Sequence, residues 1–322
     1  MMSMSFRQLL QELSQKPVQK KLSTVFQETD QKDWAQFKQD MEQAETDGNG
    51  RISEAQRGGN YNLNRYSNVV PYNHNRVRLG GKSDYINASH IVLPESVAVA
   101  TGTRYIATQG PLNHTIGDFW QMVWEQNART VVMLANPVEA NRPKCAVYWP
   151  TRVGQTIVPA PTGNGSKVAA VSVTLVNEYS LDPALAPGVT VRSFELRSET
   201  VAHSAAPRTV RQLHYTGWPD HGVPSSPVSL LLLLKELHSA AHSQSDASSP
   251  VVFHCSAGVG RSGTLIVLDA AMRYFAAHDD YAGDLVADVF RSLRAQRVQM
   301  VQTLNQFVFC YHAIGFMLSS MD

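Results

Sequence analysis

The stretch SSPVVFHCSAGVGRSGT, residues Ser248 to Thr264, reads as a short apolar strand, a loop with glycines at 258 and 260, and a helix opening at Ser262 and Gly263. A strand that feeds a Gly-rich loop onto a helix N-terminus builds an anion cradle. Successive backbone N–H groups and the positive end of the helix dipole converge there on one point. Cys255 stands at the start of that cradle, and Arg261 closes it with a planar fork suited to two phosphate oxygens at once. A free thiol of pKa about 8.5 is only a few per cent thiolate at neutral pH, so a useful nucleophile needs such a loop to lower that value. A lowering of roughly 3 units, about 4 kcal/mol, is within reach of several inward amides and a helix end acting together. A buried cysteine beside a surface arginine would explain neither the glycines nor the hydroxyl at Ser262.

Outward from this segment, Ser229 to His242, Gly263 to Ala277, Asp284 to Gln296 and Thr303 to Leu318 carry helical apolar spacing. Upstream, VAAVSVTLV, VTVRSFELRS and RTVRQLHY alternate or cluster β-branched and apolar residues between turn signals, which predicts an antiparallel meander entered through a loop from Pro159 to Gly165. Strands in the middle and helices at the end imply an α+β layered domain. Residues 1–57 are rich in Gln, Lys and Glu, with apolar residues three and four apart, and predict short amphipathic helices broken near Pro17, a flap packed on a main domain of residues 58–322. Within the flap, ETDGNGRISEAQ (Glu45 to Gln56) half-matches a calcium loop, but Gln56 stands where a bidentate Glu is required, so a Gly-rich connector is expected.

The 322 residues include 28 Lys plus Arg against 27 Asp plus Glu, a net charge of +1, so no global field draws the chain to nucleic acid or an anionic membrane. Anion recognition must then be local. The longest apolar stretches, near Leu230 to Leu234 and Thr264 to Met272, fall short of the roughly 20 residues of a spanning helix. The N-terminal text predicts no secretory leader, and neither end carries a lipidation signal. Three cysteines, Cys145, Cys255 and Cys310, suit a reducing compartment and lack metal-ligand spacing.

HCSAGVGRSGT resembles the signature of the tyrosine-specific protein phosphatases, whose pattern is His-Cys, five residues, Arg, then Ser or Thr. LNRYSNVVPY (Leu63 to Tyr72), SDYINAS (Ser83 to Ser89), RYIATQGPL (Arg104 to Leu112), DFWQMVWE (Asp118 to Glu125), PKCAVYWP (Pro143 to Pro150), HYTGWPDHGVP (His214 to Pro224) and QRVQMVQTLNQFVF (Gln296 to Phe309) each resemble a motif of that family, in its order. The resemblance implies a highly twisted mixed β-sheet flanked by helices, three layers α/β/α, in a single-domain, non-receptor enzyme. It also implies phosphotyrosyl protein substrates, a cysteinyl-phosphate intermediate, no cofactor or metal, a monomer, and a cytoplasmic location.

Carried over residue by residue, the resemblance makes Cys255 the nucleophile. Arg261 and the backbone of Ser256, Ala257, Gly258, Val259 and Gly260 become the phosphate cradle. His254 is then a buried residue fixing the loop, and Ser262 a donor to the leaving thiolate. Asp220, in Trp218-Pro219-Asp220, matches the general acid on a closing loop, and Gln302 the glutamine that orients the attacking water, supported by Gln306. Tyr66 forms an aromatic wall of a pocket too deep for phosphoserine or phosphothreonine. Glu139 would orient Arg261, and Lys144 would contact Asp220. Two positions depart from the pattern. Asn68 replaces an Asp that accepts from the substrate backbone, and His221 replaces the Phe that covers the phosphotyrosine ring, which would make loop closure pH-sensitive. A catalytically dead binding module would require loss of the cysteine, the arginine or the acid. Tyr66 and Gln302 argue against a dual-specificity or phosphoinositide phosphatase.

Overall fold

The computed structural model describes residues 5–81, 83–101, 103–162, 170–198, 206–219, 222–241 and 249–320. Its strands are β1 (Arg76–Arg78), β2 (Tyr85–Ile91), β3 (Tyr105–Thr108), β4 (Thr130–Met133), β5 (Val138–Glu139), β6 (Arg142–Pro143), β7 (Thr156–Ile157), β8 (Val171–Ser180), β9 (Val189–Ser198), β10 (Arg208–Tyr215) and β11 (Val251–His254). Its helices are α1 (Phe6–Gln11), α2 (Lys16–Asp47), α3 (Ser53–Gln56), α4 (Glu95–Thr101), α5 (Ile116–Glu125), α6 (Val228–Ala241), α7 (Gly260–Phe275), α8 (Leu285–Gln296) and α9 (Leu304–Ser319).

Nine strands form one mixed sheet in the order β1-β2-β3-β11-β4-β10-β9-β8-β7, and β5 pairs with β6 in a ribbon of its own. The central strands β3, β11, β4 and β10 run parallel, and β8, β9 and β10 form the expected antiparallel meander. The short apolar run at β11 is explained by burial on both faces. Val251 and Phe253 join the core on one side and Val252 the core on the other, as the period of two demands. The first core packs α6, α7, α8 and α9 against the sheet, and the second is filled by Phe119, Trp120, Met122 and Val123 of α5. Helices therefore cover both faces of a twisted sheet, the α+β, three-layer arrangement expected. Phe253, bulkier than its counterpart in the resemblance, packs edge-on against Tyr105 at a centroid distance of 5.7 Å.

The N-terminal text behaves differently from its periodicity. A single helix, α2, runs unbroken from Lys16 to Asp47, with Pro17 in its first turn, where a missing N–H breaks no helical bond. It ends at Gly48, whose φ of 64° is the left-handed cap only glycine adopts without strain. Phe6 of α1 stacks on Phe275, and Phe26 of α2 on Phe290, so both helices share the larger core. Residues of the calcium-loop half-match form the end of α2, the Gly48 cap and α3. The loop from Pro159 to Gly165 is described only to residue 162. No helix among the described residues is long and apolar enough to cross a membrane.

Candidate active site

Four loops leave the C-terminal ends of the four parallel strands and meet in a cleft of about 440 Å³. This is where an open sheet with parallel strands places its ligands. The cleft is lined by Tyr66, Asn68, Glu139, Lys144, Trp218, Cys255, Ser256, Ala257, Gly260, Arg261, Gln302 and Gln306, among others, so the topology assembles residues that lie as far apart as 66 and 306 in sequence.

The loop after β11 is held from outside. The Cys255 carbonyl accepts from His254 Nδ1 (3.1 Å), that of Ser256 from the Gly110 amide (2.8 Å), and those of Ala257 and Gly258 from Arg297 (3.0 and 3.1 Å). The Val259 carbonyl accepts from the amides of Gly263 (2.8 Å) and Val301 (3.2 Å). Because carbonyl and N–H point opposite ways across a planar peptide, fastening the carbonyls outward turns the amides toward the sulfur. The Gly258 amide lies 3.3 Å from Cys255 Sγ. Gly258 itself has φ of 72°, and a Cβ there would fall 1.9 Å from the Thr108 carbonyl, so no other residue fits this turn. Helix α7 starts at Gly260, two residues before the predicted opening, which adds its free N-terminal amides to the ring.

Burial pushes the Cys255 thiol up, but the Ser262 hydroxyl, the Arg261 charge and the Ser262 and Val259 amides outweigh it, and the net result is a pKa below the ordinary value. The Ser262 hydroxyl, fully buried, makes no hydrogen bond of ordinary geometry, so its effect on the sulfur is that of a close polar neighbour rather than a formed bond. Burial pushes the other two thiols the opposite way, Cys145 up to about 12 and Cys310 higher still. His254 is pushed down to about 3 by complete burial, and its Nε2 lies 2.8 Å from the Tyr148 hydroxyl, which accepts from Gln212 (2.7 Å). It is a neutral, fully engaged ring that fixes the loop.

Arg261 is gripped by Glu139 through two parallel bonds of 2.7 and 2.8 Å, and donates further to the carbonyls of Leu134 (3.0 Å) and Pro219 (3.3 Å). The bidentate pair leaves the fork aimed rather than freely rotating. Ser256 Oγ donates to the Lys144 carbonyl (2.9 Å), so it accepts from the Tyr66 hydroxyl (2.9 Å), which fixes Tyr66 at the mouth of the cleft. Gln306 caps α9 with Thr303, and its Oε1 accepts from the backbone of Gln302 (2.9 Å). The Gln302 side chain donates to Gln299 Oε1 (2.8 Å). Trp218 is buried, donates to the Gly222 carbonyl (3.3 Å) and packs against Phe309. Asn68 is exposed on the rim, with its carbonyl accepting from Gln299 (3.2 Å). Asp220 and His221 lie outside the described residues, and with them the contact expected between Lys144 and Asp220. Among the described residues no three His, Cys, Asp or Glu side chains are grouped to hold a metal ion.

Two residues that build the site carry no signal of it in the sequence. Arg297 is fully buried, pulled down to about 10 by that burial, and is held by Asn87 (2.7 Å) and Ser89 (3.2 Å) while it grips the cradle carbonyls. In the text QRVQM it is indistinguishable from a surface arginine, because its partners are carbonyls and an amide, not an acid at helical spacing.

The model of the family "Protein-tyrosine phosphatase" matches residues 60–315. The chain belongs to the protein-tyrosine phosphatase family. It is similar to "Tyrosine-protein phosphatase non-receptor type 13" of Mus musculus, 38% identical over 268 residues, and of Homo sapiens, 36% over 263 residues, each match covering 82% of this chain and 10% of the relative. "Receptor-type tyrosine-protein phosphatase alpha" of Homo sapiens is 39% identical over 266 residues, 81% of this chain and 30% of that protein. The phosphatase chain thus spans about a tenth of the length of the first two relatives and under a third of the other.

Proposed function

We propose that this chain hydrolyses phosphotyrosine in proteins through a cysteinyl-phosphate intermediate, with residues 58–322 as the catalytic domain and residues 1–57 as a helical flap on it. The observation that carries the reading is a thiol of lowered pKa inside a ring of amides, beside an arginine fork aimed by Glu139. In the first step the Cys255 thiolate attacks phosphorus and the bond to the phenol oxygen breaks, while the Asp220 carboxyl gives its proton to the leaving phenolate. Arg261 and the amides of the 256–261 loop stabilise the equatorial oxygens. In the second step a water oriented by Gln302 attacks phosphorus and gives its proton to the Asp220 carboxylate. The sulfur–phosphorus bond breaks, and Ser262 stabilises the departing thiolate. No cofactor enters either step. Tyr66 walls the cleft so that an aryl phosphate reaches the sulfur and a shorter alkyl phosphate does not. Asn68 at the rim takes the substrate backbone, and His221 covers the ring. The partners are phosphotyrosyl proteins, and we take the chain to act as a cytoplasmic monomer.

The test compares hydrolysis of phosphotyrosyl and phosphothreonyl peptides of one sequence. A preference of at least a hundredfold for phosphotyrosine is expected, and comparable rates would sink the tyrosine-specific reading. Cys255→Ser should abolish turnover while retaining phosphotyrosyl peptide; surviving turnover would refute the nucleophile assignment.

A further inference from the structure

Arg294, in the last turn of α8, is 2% exposed, and its guanidinium is fully committed. Its Nη1 donates to Asp30 Oδ1 (2.9 Å) and Asp33 Oδ2 (3.1 Å) on α2, its Nε to the Met300 carbonyl (2.6 Å) and its Nη2 to the Val301 carbonyl (3.1 Å). The two carbonyls belong to the turn that delivers Gln302 to the cleft. That turn is a strained one, with Gln299 at φ 59° and Val301 at φ 56°, a left-handed conformation that a β-branched residue resists. A turn of this kind persists only where its surroundings over-determine it. Here the surroundings are one guanidinium on one side and the link from the Val301 amide to the Val259 carbonyl (3.2 Å) on the other.

The end of α8 thereby divides two tasks between two buried arginines. Arg297 holds the carbonyls of Ala257 and Gly258, hence the phosphate cradle, and Arg294 holds the carbonyls of Met300 and Val301, hence the glutamine turn. Arg297 is anchored by the neutral side chains of Asn87 and Ser89, whereas Arg294 is anchored by two carboxylates from the N-terminal helix. We propose that Asp30 and Asp33 of α2, acting through Arg294, are positioning residues for Gln302, so that the N-terminal helix sets the rate of hydrolysis of the phosphoenzyme and leaves its formation untouched. The inference rests on the reading of Cys255 as nucleophile and Gln302 as the residue that orients water.

The two aspartates are 30% and 21% exposed, so Asp30→Asn with Asp33→Asn keeps shape while removing both charges. The enzyme is labelled on Cys255 with radioactive aryl phosphate, chased with unlabelled substrate and quenched in acid on the millisecond scale, alongside steady-state kinetics. In the double variant the decay of the label is expected to slow about five-fold, while kcat/KM, which reports only steps through phosphoryl transfer to the thiol, stays within twofold. An unchanged decay, or a fall in kcat/KM as large as that in the decay, would overturn the relay, the second result marking a merely structural role. If circular dichroism shows the double variant unfolded, Asp33→Asn alone is used, with a smaller slowing of the same kind required. A wild-type chain that neither labels nor turns over overturns the phosphatase reading itself. Wild-type labelling with no difference in the variant overturns only the relay.

Discussion

Cys145, Cys255 and Cys310 are all buried, yet burial raises two of the thiols and fails to raise the third. Dipoles decide the difference: Cys255 alone sits in the ring of amides with a guanidinium alongside. Mild peroxide should therefore oxidise Cys255 selectively and reversibly, since oxidation follows thiolate character. Mass spectrometry after brief exposure at neutral pH should find the modification on Cys255 and not on the other two, with activity restored by thiol; insensitivity to peroxide would count against the lowered pKa. Glu139 is argued at the same scale. Glu139→Gln keeps one acceptor for Arg261 but loses the charge and the parallel geometry, and a charge-assisted pair is worth about 2 kcal/mol. A fall in kcat/KM of roughly 30-fold with little change in Tm is expected. Unchanged kinetics would mean that the Leu134 and Pro219 carbonyls suffice to aim the fork.

At the scale of elements, the strand-loop-helix unit β11–α7 works because its turn has no room for a side chain at Gly258. Gly258→Ala must move the Thr108 carbonyl or open the loop, and both displace amides from the sulfur. We expect loss of about 3 kcal/mol of stability and turnover below a hundredth of wild type; a variant with near-normal kcat would show that the cradle tolerates distortion. Helix α9 makes a milder case. Its capping box joins Thr303 to Gln306, and Gln306 also accepts from the Gln302 amide. Thr303→Ala should cost about 1 kcal/mol and lower Tm by roughly 2 °C, measured by calorimetry, with a loss in kcat exceeding that in kcat/KM because the same box steadies Gln302.

For the molecule as a whole, the two histidines buried in its centre set the acid limit. Burial holds His254 at about 3 and His214 at about 4, against an ordinary value of 6.5. The unfolded chain therefore binds protons that the folded chain refuses. Their contribution is complete above pH 6.5 and declines as pH falls toward the folded values. At pH 5 the loss is about 2 kcal/mol for each histidine. Urea midpoints should drop steeply between pH 7 and 5 and less so in His214→Gln; a flat profile would place both rings in a protonated form. The N-terminal helices belong to this scale too, since Phe6 and Phe26 enter the same core as the catalytic helix α7.

The local text of Ser248 to Thr264 was enough to place a strand, a cradle and a nucleophile, because backbone geometry at a Gly-rich strand-to-helix turn is dictated by short-range sterics and dipoles. Periodicity likewise located β8 to β10 and the four C-terminal helices, since one buried face imposes its period on the residues that cover it. Pro17 misled the same reading, for a proline in a first turn and a proline that breaks a helix look alike until the hydrogen bonds are placed. The tertiary structure alone decided what holds the cradle open. Arg297 on its carbonyls, Glu139 on Arg261, Tyr148 on His254 and the Asp30, Asp33 and Arg294 chain behind Gln302 join residues up to 264 positions apart, and no periodicity encodes such pairs. They exist because the parallel order β3-β11-β4-β10 brings four loops to one end of the sheet. There a buried polar group must find its partner in space, whatever the distance along the chain.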